Sequence, residues 1–302
     1  MFGIETRYLS FFFGLVSILS FFNVIYSYYL NLYLNLDTYY LSFFCSLVIS
    51  ILFYNLKFEQ KRLTIFNKIL TVFVGYIFIP LVLSIPFYFS IYNLTLLNSF
   101  FEAISGFTST GFTIFDNVKH IDQSLILWRS STQWIGGLYF LFSIIFLIDI
   151  YDENFKKTLT NFISFDSSEI FKQAIKIFLL YSVLTLIIFI ILNIFSIRTF
   201  DSLNLSFSLV SSGGFLPVND LSIILKENSQ VIITSLLMLT SFFSIFFSYN
   251  LIFFKNKNLN FFYEDIHLFL YFVLVVSIFF IFFSFDNKFT YNFLSVVSSI
   301  SN

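Results

Sequence analysis

Charge and sulfur are what this sequence has least of: 11% of its 302 residues are charged, and it has one cysteine, two histidines and nine glycines. A lone Cys45 excludes an intrachain disulfide and a thiolate metal site. His120 and His267 fall toward opposite sides of the predicted spans, so they share no site. No phosphate-binding loop, zinc-protease helix or nucleophile elbow occurs. A membrane enzyme would need ionisable groups clustered at one depth, and the sequence offers little for that.

What it has instead is apolar length. Hydrophobic residues fill 58% of the chain, and apolar runs of about 20 residues recur, the length that crosses a bilayer core. The predicted class is an all-α polytopic membrane protein with seven spans. They are placed at Tyr8–Leu36, Tyr39–Leu56, Ile69–Ile91, Ile126–Ile148, Gln173–Ile197, Val231–Phe254 and Ile266–Phe285. The first is too long for a signal peptide and lacks a small-residue cleavage site, so it reads as a retained anchor. Lys57, Lys61, Arg62 and Lys68, then Lys156, Lys157 and Lys172, then Lys255 and Lys257 gather in alternate loops. By the positive-inside rule those loops and the N-terminus are cytoplasmic. Topology explains these lysines better than nucleic-acid binding does. Lys119, Arg198, Lys226 and Lys288 are sparse on the opposite side, and Lys176 is expected to snorkel.

With fifty Phe and two Ala, the scarce residues are the informative ones. Six of the nine glycines are Gly106, Gly111, Gly136, Gly137, Gly213 and Gly214. They sit in or just after an internal repeat: Ser105-Gly106-Phe107-Thr108-Ser109-Thr110-Gly111-Phe112 recurs 103 residues on as Ser208-Leu209-Val210-Ser211-Ser212-Gly213-Gly214-Phe215. Asn98-Ser99 and Asp201-Ser202 stand at equal distances before Gly111 and Gly214 and are expected N-caps. Each copy therefore reads as a cap, a short helix and a Ser/Thr-Gly turn. A third copy runs from Asn292 to Ser301-Asn302, with its glycine expected two positions further.

Asn98–Phe107 and Asp201–Val210 are too short to span and too apolar for surface loops, so they are expected to be re-entrant. Irregular backbone at membrane depth is tolerated where it lines a cavity. A helix C-terminus aimed at that cavity favours a cation, and main-chain carbonyls can replace its hydration shell. The predicted filter is Thr108, Ser109, Thr110 and Gly111, then Ser211, Ser212, Gly213 and Gly214, then Ser301 and Asn302, with glycine supplying the positive φ that turns carbonyls inward. Gly136 and Gly137 are expected to permit close helix packing. Arg129 is expected to snorkel at the outer interface, with a structural pair to Glu102 as the alternative. Phe112 and Phe215 are at most packing supports for the turn. Serines and threonines of apolar helices otherwise bond the preceding turn.

These residues carry a resemblance to the Trk/Ktr/HKT superfamily of potassium transporters, and within it to the TrkH type. Phe100-Phe101-Glu102-Ala103-Ile104 leading into Ser105–Phe112 is similar to that family's first pore loop. Trp128-Arg129-Ser130-Ser131-Thr132-Gln133-Trp134-Ile135-Gly136-Gly137 is similar to the helix after it, and Val210–Phe215 with Asp220 to the second loop. The resemblance implies four tandem helix, pore-loop, helix units around one pseudo-fourfold pore. It implies uptake of potassium, as transported ion and with no other cofactor, across the cell inner membrane. It further implies a dimer in contact with membrane lipid, and a cytoplasmic nucleotide-binding regulatory subunit. On this plan the chain divides into an N-terminal extension (1–68), a first pore unit (69–150), a loop (151–172), a second pore unit (173–254), a loop (255–264) and an incomplete third unit (265–302). Leu138-Tyr139-Phe140 departs from the small residues that the family carries after Gly137, and the glycine pair of the second unit's last helix is replaced around Ser241–Phe246. Lacking a fourth unit, the chain is expected not to conduct alone, and a non-conducting scaffold or a split subunit completed by a second chain is the alternative.

Overall fold

The computed structural model describes residues 5–56, 65–147, 170–242, 270–271, 273–277 and 289–301. Among these residues the regular elements are all helical: α1 (Thr6–Tyr29), α2 (Leu36–Asn55), α3 (Ile65–Leu83), α4 (Ile85–Tyr88), α5 (Leu96–Phe107), α6 (Gln123–Leu147), α7 (Ile170–Ile194), α8 (Thr199–Val210), α9 (Asn228–Phe242) and α10 (Phe289–Ser301). Thr6–Tyr29, Leu36–Asn55, Ile65–Tyr88 and Ile177–Ile194 are each long and apolar enough to cross a membrane. The chain forms two compact units, Met1–Lys157 with Gly213–Asn219, and Thr158–Ser212 with Asp220–Asn302.

In the first unit α1 and α2 pack through small hydroxyl residues. Ser10 and Ser50 each donate to the other's carbonyl at 2.8 Å, and Ser20 Oγ lies 3.0 Å from Ser42 Oγ. Small residues allow two helix backbones to approach where lipid supplies no hydrophobic drive between them. Helix α6 is the central post. Its Trp128 indole donates to the Leu83 carbonyl at 3.0 Å, satisfying an end carbonyl of α3. Tyr39 Oη meets Ser124 Oγ at 3.0 Å, and Tyr8 Oη meets Ser143 Oγ at 3.1 Å. Arg129, Ser130, Ser131, Thr132 and Gln133 are all buried on α6, so this helix is sheathed by protein.

Several predicted boundaries shift for local reasons. The first span ends at Tyr29 instead of Leu36, because Asn31 takes a left-handed φ of 57° and turns the chain into α2. The third breaks at Ser84: Pro86 has no N–H for the helix ladder and its ring would crowd the carbonyl four residues back. Lys68, expected in a cytoplasmic loop, lies within α3, is buried, and sits 5.5 Å over the Phe146 ring. Lys57, Lys61, Arg62, Lys156, Lys157, Lys255, Lys257, Lys288, His267, most of the seventh span and the sixth beyond 242 lie outside the described residues.

In the second unit Gln230 caps the start of α9 from within its first turn. Gln230 Oε1 accepts from the N–H groups of Lys226 and Glu227 at 2.9 and 3.3 Å, while its Nε2 donates to the Phe195 carbonyl at 3.0 Å. Helix α10 packs on α9, with Tyr291 Oη donating to the Leu225 carbonyl at 2.7 Å.

Candidate functional site

The repeat is more regular in three dimensions than in sequence. Helix α5 begins at Leu96 and α8 at Thr199, and both run twelve residues. Asn93 and Ser196 take left-handed φ values of 49° and 61° ahead of them; Ser109 and Ser212 do so behind them, at 55° and 52°. Every one of these pairs is 103 positions apart. Helix α10 starts at Phe289, nine residues before Ser298, as α5 starts nine before Ser105 and α8 nine before Ser208. Ser301 closes α10, and its side chain and Asn302 lie outside the described residues.

Two expectations are corrected here. Asn98 and Asp201 are not caps; each lies in the first helical turn. Thr95 caps α5, its hydroxyl accepting from Asn98 N–H at 3.3 Å, and Arg198 occupies the cap position of α8 without a side-chain bond. The preceding left-handed residue sets where the helix begins, and it leaves the cap two positions later in both copies. Nor does glycine supply the turn out of each helix. Serine does, at Ser109 and Ser212. After α5 the turn is a Schellman motif: Ser109 N–H donates to Gly106 O at 2.9 Å and Thr110 N–H to Ser105 O at 2.9 Å. Gly111 does have a left-handed φ of 79°, whereas Gly213 and Gly214 do not.

The first segment is hung along its own helix. Ser105 Oγ donates to Phe112 O at 2.6 Å, and Glu102 takes the next two residues: its Oε1 accepts from Thr113 Oγ1 at 2.9 Å and its Oε2 from Ile114 N–H at 2.9 Å. Arg129 closes the arrangement from α6, its Nε donating to Glu102 Oε1 at 2.8 Å and its Nη2 to Thr113 Oγ1 at 3.0 Å. Arg129 is 1% exposed, so it does not snorkel; the pair with Glu102 forms. Thr108 and Thr110 are exposed, with hydroxyls 2.8 Å apart.

The stretch Gly213–Asn219 belongs to the same compact unit as the first segment. Phe215 is buried, with the Arg129 guanidinium 4.3 Å above its ring centroid, whereas Phe112 is 70% exposed. Glycine at 106 makes room for Phe215: a Cβ there would come within 2.9 Å of the ring and would overlap Thr132 Oγ1. Gly136 lets α6 pass the end of α5, since a Cβ would overlap the Phe107 carbonyl; Gly137 is buried beside it. Asn219 Oδ1 accepts from Val118 N–H at 2.7 Å, and its Nδ2 donates to Asp116 O at 3.4 Å. Gly111 and Gly214 touch directly, a Cβ on Gly111 overlapping the Gly214 Cα. Ser211 takes the bland role: buried, its hydroxyl donates to Phe207 O at 2.8 Å. Beyond the strand, Ser222 N–H donates to Asp220 Oδ1 at 3.0 Å and holds that exposed carboxyl below its ordinary pKa.

Gln133, Thr113, Thr132 and Asn219 also join this site, although the repeat does not single them out. Their partners are distant in sequence or chosen by one side-chain rotamer, and only the α6 motif around Arg129 hints at two of them.

No family model matches the chain. It is 25% identical over 165 residues to an uncharacterized cation transporter of Methanocaldococcus jannaschii, covering 51% of this chain and 33% of that protein. It is 27% identical over 139 residues to the potassium uptake protein TrkH of Salmonella typhimurium, covering 44% and 29%. Over 60 residues it is 40% identical to TrkI of Halomonas elongata, covering 20% and 11%. The matched segments thus make up about a third or less of those relatives' length. In fold it matches the crystal structure of the potassium transporter TrkH from Vibrio parahaemolyticus with a TM-score of 0.70 and 18% identity, over 97% of this chain and 63% of that one. The chain is a multi-pass membrane protein with the TrkH fold, and its curated relatives are transporters.

Proposed function

We propose that this chain forms part of the pore of a potassium uptake system in the cytoplasmic membrane, and that Thr108–Gly111 and Gly213–Gly214 are two of its filter segments. One observation carries the reading. Two strands that each leave a twelve-residue helix through a left-handed serine, 103 residues apart, meet backbone to backbone at Gly111 and Gly214. Convergent turns of this kind bring main-chain carbonyls together, and carbonyls are what can stand in for the water around a potassium ion. The C-terminal end of α5 adds partial negative charge beside them. Sequence likeness to Trk proteins supports potassium as the cargo, with the membrane potential drawing the cation inward.

Each structural residue has a role in this reading. Glu102 and Ser105 hold the outgoing strand of the first segment, Arg129 braces it, and Gly106 and Gly136 keep the two segments and α6 close. The N-terminus faces the cytoplasm, the filter faces outward, and contacts with lipid, a second copy and a nucleotide-binding regulatory subunit on the cytoplasmic side complete the assembly. Rubidium uptake in cells that lack their own potassium uptake tests the proposal. Uptake by the four-unit pore that contains this chain and its loss in Gly111→Val are expected; no uptake would favour a non-conducting scaffold.

A further inference from the structure

Gln133 projects from α6 and is fully buried. The hydrogen-bond network assigns its amide with the oxygen facing two successive backbone donors, Gly214 N–H at 2.9 Å and Phe215 N–H at 2.6 Å. Glycine at 213 leaves room for this side chain, since a Cβ there would overlap the amide carbon and fall 2.6 and 2.7 Å from its two terminal atoms. Side chain and glycine therefore fit as a pair.

The geometry has a directional consequence. In a trans peptide the N–H of one residue and the C=O of the residue before it point opposite ways. With Gly214 N–H aimed at Gln133, the Gly213 carbonyl must face away from it. With Phe215 N–H aimed there too, the Gly214 carbonyl must also face away. One side-chain oxygen thus fixes two consecutive carbonyls. The first segment is held by other means and one position earlier: Thr110 N–H and Gly111 N–H converge on the Ser105 carbonyl at 2.9 and 3.3 Å, which turns the Ser109 and Thr110 carbonyls away. There the anchor is main chain from the segment's own helix. In the second segment it is a side chain from α6.

We infer that Gln133 is a positioning residue for the second filter segment, holding the Gly213 and Gly214 carbonyls in the direction that discriminates potassium from sodium. This rests on the filter reading proposed above, but the clamp can be tested apart from it. Nine glycines give nine amide signals in the full chain labelled with [15N]glycine and purified in lipid nanodiscs. In Gln133→Leu the Gly214 amide should shift and exchange with solvent about tenfold faster or more, having lost its acceptor, while Gly111, anchored by Ser105, keeps its rate. Gln133→Glu, which retains acceptor oxygens at the same reach, should leave Gly214 protected. Should the Leu variant fail to fold, Gln133→Asn, one methylene shorter, must show the same selective loss. Unchanged Gly214 exchange in a folded Leu or Asn variant overturns the clamp. In uptake-deficient cells the Leu or Asn variant should lose about tenfold in rubidium preference over competing sodium, through the half-saturation constants more than the maximal rate. Unaltered preference with a demonstrated clamp overturns its role in selectivity. Absence of rubidium transport by the four-unit pore that contains the unsubstituted chain overturns the filter reading instead, and the exchange result still decides the clamp.

Discussion

Arg129 Nε lies 2.8 Å from Glu102 Oε1, with the two side chains 2% and 0% exposed. Thr113 bonds to both partners, and Ile114 N–H donates to Glu102, so the pair ties α5, the outgoing strand and α6 into one block. Removing one member strands a buried charge, which costs about 3–5 kcal/mol, whereas an apolar replacement of both avoids that penalty. Glu102→Leu and Arg129→Met should each lower the melting temperature in detergent sharply, and the double variant should be more stable than the sum of the two losses. Additive losses would show that the ions do not depend on each other.

Gly111 and Gly214 touch, yet they should not tolerate alanine equally. Gly111 has a φ of 79° and would drive a Cβ into the Gly214 backbone. Backbone strain alone costs a non-glycine residue about 1–3 kcal/mol there. A Cβ on Gly214 would meet its nearest neighbour, the Gly111 Cα, at 3.0 Å and the Thr110 carbonyl at 3.4 Å, at a φ that other residues accept. Gly111→Ala should abolish rubidium uptake, and Gly214→Ala should reduce it only severalfold. Equal effects would place the constraint elsewhere.

The place where each repeat helix ends is legible in the sequence; the place where it starts is not. Ser/Thr-Gly turns carry their own backbone chemistry, so Ser105–Phe112 and its echo mark Phe107 and Val210 as helix ends. The starts depend on Asn93 and Ser196, whose left-handed backbone no pattern of caps reveals, and that displaces the expected caps at Asn98 and Asp201. Likewise the burial of Arg129 follows from contacts with Glu102, Thr113 and Phe215, and only folding brings those three together. A charge near a predicted span end reads as interfacial until its partners are placed. The α6 departure at Tyr139 is similar: it looks like a disruption until Gly75 is set against it.

The displaced cap itself gives a direct test. Thr95 Oγ1 accepts from Asn98 N–H, while Asn98 is an exposed residue inside the first turn. Loss of a capping oxygen costs about 1 kcal/mol, and an exposed substitution elsewhere costs within about 0.5 kcal/mol. Thr95→Ala should therefore lower thermal stability measurably and Asn98→Ala should not; the reverse order would restore Asn98 as the cap.

Tyr139 replaces a small residue of the related pattern, and its accommodation is specific. The ring is buried, its hydroxyl donates to Val72 O at 2.9 Å, and Gly75 on α3 leaves the space it fills: a Cβ there would overlap Tyr139 Oη and lie 2.6 Å from Cζ. Tyr76, Phe12 and Phe107 enclose the ring with centroids at 4.9, 4.7 and 5.1 Å, so it has no free direction in which to yield. Gly75→Ala should then cost about 1–3 kcal/mol through overpacking. Tyr139→Leu alone should also destabilise, because it empties volume and removes the hydroxyl's bond to the Val72 carbonyl. Combined, the two changes relieve each other, since the shorter Leu withdraws from the new methyl. Residues in contact commonly couple by about 0.5–3 kcal/mol, so the double variant should melt above the additive expectation by a margin of that size. A strictly additive result would mean that α3 and α6 move apart to admit the methyl, and that Gly75 is not what allows Tyr139.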